Sequence, residues 1–140
     1  MWIFLQDAML SVVDERAHQA VRKGAKMATR MPLYQRSPTL LVRARFKGDI
    51  ERTFPNAKVT ETVASDYRYR ASIPREEVAL VIDGAIRGID YGNFKAGVAP
   101  GIRHSAYFGA WAAMEGGQQR AHGKRGGGGP DFFNDELEGR

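Results

Sequence analysis

The chain has no cysteine. That excludes a disulfide framework, a thiolate metal site and a cysteine nucleophile, and it agrees with a reducing compartment. Long apolar runs are missing as well, none approaching the roughly 20 residues a membrane span needs. Residues 1–5 are hydrophobic, but Gln6 and Asp7 interrupt them at once, and the stretch has neither the basic start nor the length of a signal peptide. These absences predict a cytoplasmic protein with no membrane partner.

Catalytic signatures are equally scarce. The three histidines, His18, His104 and His122, have no partner at a ligand spacing such as i, i+4. No G-x-S-x-G or P-loop occurs, and the glycine run 126–129 leads into Pro130 rather than a helix, so it reads as a linker. Asp49 and Glu51 with Lys47 would suit a metal-dependent nuclease only if carboxylates from other elements joined them, because i, i+2 residues on a helix do not face each other. The expectation is no catalytic residue, no metal and no cofactor.

Acid is absent from one long segment. Residues 16–38 carry six bases, Arg16, Arg22, Lys23, Lys26, Arg30 and Arg36, whereas residues 1–15 carry three acids and no base. The net charge of +5 over 140 residues therefore comes mainly from one place. Such a local excess attracts polyanions over a long range. The segment is rich in helix-forming Ala, Lys, Arg and Met, but Gly24 interrupts it and its apolar stripe is thin. It reads either as a basic helix lying on nucleic acid through Arg22, Lys23 and Lys26, or as a solvated excursion between strands, closed by Pro32 and Pro38.

What is present is the patterning of a single α+β domain over residues 1–114, with this basic insert. Residues 2–5 and 9–13 read as two strands of a hairpin. Residues 40–46 alternate Leu40, Val42, Ala44 and Phe46 against Leu41, Arg43, Arg45 and Lys47. A short helix over 49–54 follows, with Ile50 and Phe54 four apart, and residues 58–63 form another candidate strand. Residues 67–73 then set Tyr67, Tyr69, Ala71 and Ile73 against Arg68, Arg70 and Ser72. Pro74 opens an amphipathic helix to about residue 90, with Val78, Val81, Ile82, Ala85, Ile86 and Ile89 recurring at three and four. Residues 102–114 form a further helix. The predicted fold is an antiparallel sheet of four to five strands with helices packed on its apolar face.

From Glu115 the composition changes. A glycine-rich arm, residues 115–140, ends in an acidic–aromatic cluster in which Phe132, Phe133 and Leu137 are candidates for partner docking.

The order MWIFLxDAxLSVV, LLVRARxKGDIExxFP, DYRYRAxIPRxxVA, IDYxNFK and a closing AYxxxW resembles a family of small uncharacterised proteins in bacterial and phage genomes. The matching stretches are residues 1–13 and 40–111. The resemblance implies a compact α+β domain and a phage or mobile-element setting, in which small proteins bind nucleic acid or bind and inhibit a host protein. Where that pattern joins the second and third strands by a short loop, this chain carries residues 16–38, and its glycine-rich tail also departs from the pattern.

The functional expectation follows from the alternation. Arg43, Arg45, Arg68 and Arg70, extended by Lys47, Arg75 and the bases of 16–38, would form one arginine-lined sheet face that grips phosphates of DNA or RNA with little sequence preference. Tyr67 and Tyr69 are expected on the opposite, apolar side. The alternative is a protein-binding regulator, such as an inhibitor of a host-defence component, that uses the same arginines or the tail.

Overall fold

The computed structural model describes residues 1–26 and 30–123. The candidate docking residues Phe132, Phe133 and Leu137 lie outside the described residues. Two compact units divide at Pro100, residues 1–100 and 101–140.

The first unit is built on β1 (Trp2–Phe4), β2 (Met9–Asp14), β3 (Thr39–Ala44), β4 (Thr60–Glu61) and β5 (Tyr69–Pro74), with helices α1 (Glu15–Arg22), α2 (Asp49–Thr53) and α3 (Arg75–Arg87). The five strands form one sheet in the order β1-β2-β3-β5-β4, and every neighbouring pair is antiparallel. This is an α+β fold. Register sets the two faces. Val12 pairs with Val42 and Val42 with Ala71, while Leu10 pairs with Ala44 and Leu40 with Ile73. These residues share the apolar face, where Ile50 and Phe54 at α2 and Val78 of α3 complete the core. Each fully buried Leu, Ile or Phe there contributes about 1.5–3 kcal/mol.

Two carboxylates tie the layers together. Asp49 is fully buried, and its Oδ2 accepts the Met9 N–H at 2.9 Å while Oδ1 pairs with Arg52, which fastens α2 to the start of β2. The chain enters α2 through Gly48 at φ +89°, where a side chain would be strained and would meet the Arg52 guanidinium. Asp14 caps α1 by accepting the Ala17 N–H at 2.9 Å. Its other oxygen accepts from the Ser37 N–H at 3.0 Å and Arg75 Nη2 at 2.7 Å, so one side chain joins the ends of β2 and α1 to the entries of β3 and α3. Burial pushes the Asp14 carboxyl up, but these donors and the Arg75 charge outweigh it and hold the group below its usual range.

Several boundaries differ from the sequence reading. The basic segment opens as helix α1 against β2 and β3, because Asp14 supplies the cap and Glu15 suits the positive end, and Gly24 then ends the turn at φ +102°. The expected strand over 58–63 shrinks to the exposed edge pair Thr60–Glu61. The helix over 74–90 stops at Arg87.

The second unit contains α4 (Ile102–His122), which runs past the expected end at residue 114 through Gly116 and Gly117. Gln118, Gln119, Arg120 and Ala121 are good helix formers, and Arg120 and His122 suit the negative end of the helix. Among the described residues, no helix is long and apolar enough to cross a membrane.

Candidate anion-binding site

The face opposite the core holds the arginines. Arg43 of β3 and Arg70 of β5 are register partners, so both guanidinium groups leave the sheet on one side. Arg45 follows β3 and reaches the turn before β5, where it donates to the Asp66 carbonyl at 2.9 Å. Arg43 donates to Ser11 Oγ at 2.8 Å across the β2–β3 pair. Arg70 donates to the Tyr67 carbonyl at 3.0 Å and to Ser65 Oγ.

Tyr67 is the centre of this group. Its ring is only 4% exposed, and the guanidinium carbons of Arg43 and Arg45 lie 4.5 and 4.4 Å from its centroid. The aromatic face thus supports two cations at cation–π distance. This corrects the expectation that Tyr67 points with Tyr69 to the apolar side. Strand β5 begins only at Tyr69, and Tyr67 lies in the preceding bend, where period-two alternation does not apply. Tyr69 does pack against the core.

None of Arg43, Arg45 and Arg70 is ion-paired with a carboxylate among the described residues. Their partners are hydroxyls and carbonyls, which satisfy N–H donors without cancelling charge. In addition, the buried Nε atoms of Arg43 and Arg70 find no acceptor among the described residues. Burial holds Arg43 below its ordinary pKa; Tyr67 and Asp66 oppose that shift, and the Arg70 and Arg45 charges add to it. Arg68 is different. Its Nε donates to Glu61 Oε1 at 2.6 Å, an exposed ion pair that raises Arg68 above its usual value. Of the four arginines expected on this face, Arg43, Arg45 and Arg70 gather around Tyr67, whereas Arg68 precedes β5 and pairs with Glu61, the register partner of the core-packed Tyr69.

Beside this group lies a cavity of about 760 Å³, lined by His18 of α1, Arg43, Asp66, Arg30 and Arg36, and by the paired Asp14 and Arg75. Arg36 is aimed by donating to the Met31 carbonyl at 3.5 Å, and Arg16 anchors the same segment through the Gln35 carbonyl at 2.7 Å. Burial first, then the charges of Arg43, Arg22 and Arg70, hold the His18 imidazole below its ordinary value, and Asp66 opposes them. Of the other predicted binding residues, Lys47, Lys23 and Lys26 are exposed and do not line the cavity, while Arg22 acts on His18 through its charge.

The residues the sequence did not single out for this site are His18 and Tyr67. No local pattern marks His18, because its neighbours come from strands that are tens of residues away. Compared with family models, curated proteins and solved structures, the chain gives no match in any of the three.

Proposed function

We propose that this chain binds nucleic acid through its phosphates, as an accessory protein rather than an enzyme. The observation that supports this reading is the charge balance around Tyr67: three guanidinium groups converge there with no carboxylate partner among the described residues, beside a cavity whose wall adds Arg30 and Arg36. A planar guanidinium fork matches phosphate oxygens, and each neutralised phosphate releases counterions. Contacts of this kind position a backbone without reading bases, so the preference among sequences is weak.

The alternative, a regulator or inhibitor that docks on a host protein, draws on Leu33 and Tyr34. These are large side chains left 77% and 83% exposed beside Arg36. The two readings separate in one experiment. Fluorescence anisotropy with mixed-sequence DNA and RNA at two salt concentrations shows steep salt dependence if phosphates are the ligand, and the Arg43/Arg45/Arg70→Ala variant loses it. A flat response with undiminished retention of a host protein overturns the phosphate reading. Arg45→Lys, which keeps a cation at this exposed position but loses the planar fork, should bind more weakly than wild type while retaining the salt dependence.

A further inference from the structure

Two arginines set opposite each other on paired strands, one of which, Arg43, shares a cavity wall with His18, make an arrangement that costs free energy as it stands. The groups facing His18 come from every element around it. Arg22 lies on its own helix, Arg43 on β3, Arg70 on β5 and Asp66 in the turn before β5. Arg30 and Arg36 share the cavity wall. Met1, which carries the N-terminal ammonium, and the ion-paired Asp14 and Arg75 line it too, so cations outnumber acids around His18 among the described residues. An imidazolium formed there in the empty protein would add one more like charge to an already positive wall.

An anion in the cavity reverses that balance. A phosphate group beside Arg43 presents negative charge to His18 at close range and offers an oxygen as acceptor to a ring N–H of the charged form. We propose that His18 is the proton-linked member of this anion site. It is neutral when the cavity is empty and takes one proton from solvent as a phosphate of a single nucleic-acid strand enters, becoming a further cationic donor. This rests on the phosphate-binding reading above and adds regulation by pH to it. A phosphodiester carries its single negative charge throughout the range in which imidazole titrates, so the proton taken up belongs to the protein.

The sign follows from linkage. Binding raises the pKa of His18, so affinity rises as pH falls through the value of the complex and levels off below the value of the free protein. Between these limits the gain approaches about tenfold per pH unit for one proton.

The test is fluorescence anisotropy of an end-labelled, mixed-sequence single-stranded DNA at fixed low ionic strength, over about pH 5 to 8. Wild-type affinity is expected to climb as pH falls. His18→Gln should bind with a flat profile, near the weak wild-type limit at high pH. His18→Arg, with a permanent cation, should bind at all pH values as tightly as wild type does in acid. Proton NMR of the His18 ring should show its titration moving to higher pH on addition of the oligonucleotide. A pH slope that survives in His18→Gln, or a His18 titration that binding leaves in place, overturns the proposal while leaving phosphate binding intact. Failure of the wild type to bind at any pH removes both.

Discussion

Arg43 and Arg70 stand directly opposite each other on β3 and β5, two like charges at a position where sheets more often set unlike ones. Neither meets a carboxylate among the described residues, and each keeps a buried Nε–H without an acceptor. A bound anion offsets the like charge. Inorganic phosphate should therefore raise the melting temperature above that in sodium chloride of equal ionic strength, by mass action on the folded state. The general salting effect of phosphate is removed by comparison with Arg43→Ala, in which the specific increment should vanish. Equal increments in the two proteins would dismiss the site.

Contact with phosphates also fixes the salt dependence. Arg45→Ala should lower the slope of log K against log salt by about one and weaken binding similarly for all sequences. Titrations of wild type and variant at three salt concentrations measure it. A slope that is unchanged would place Arg45 outside the contact.

Arg68 is spoken for by Glu61, and this makes a contrary prediction. Arg68→Ala should alter oligonucleotide affinity less than Arg45→Ala does, whereas Glu61→Gln should strengthen binding by releasing a fourth cation. Weaker binding in Glu61→Gln would mean that the pair holds the edge strand β4 in a form the ligand needs.

Asp14 links four elements, and its role shows in acid. Its folded-state pKa lies below the unfolded value near 3.8, so its contribution is fully present above that value and is lost as pH falls through the folded value. Asp14→Ala should destabilise by about 1–2 kcal/mol near neutrality through loss of the cap. Urea unfolding should show the difference from wild type shrinking below about pH 4. A difference that persists undiminished in acid would assign the effect to packing.

Asp49 is the buried counterpart. Asp49→Ala strands the Met9 N–H and removes the partner of Arg52, a loss of about 2–3 kcal/mol. Asp49→Asn, which keeps a carbonyl acceptor, should cost less. Phe54→Ala, at 1% exposure, should cost about 3–5 kcal/mol. Denaturant titration ranks all three, and equal losses for the two Asp49 variants would show that charge, not the Met9 acceptor, is what matters there.

The alternation of Leu40, Val42 and Ala44 against Leu41 and Arg43 was enough to predict a strand and its two faces. Side-chain direction in a strand follows from position alone, so Arg43 and Arg70 were legible as sharing a face once one sheet was assumed, while their direct pairing was not. The same rule misplaced Tyr67, because alternation ends where the strand ends and the sequence does not mark that residue. The 58–63 segment failed for a related reason: its Val and Thr pattern is strand-like, but only two of its residues find a partner on β5.

The sequence by itself determined an α+β chain with a one-sided core and a surplus of arginine on the other side, since periodicity and charge are local properties. Only the tertiary structure decided which cations stay uncompensated, because that depends on where Glu61 and Asp66 fall relative to arginines far along the chain. Folding back of α1, governed by the contacts Asp14 makes with Ser37 and Arg75, is what brings His18 to Arg43. Pairings over such separations are set by register and packing, which no local stretch of residues contains.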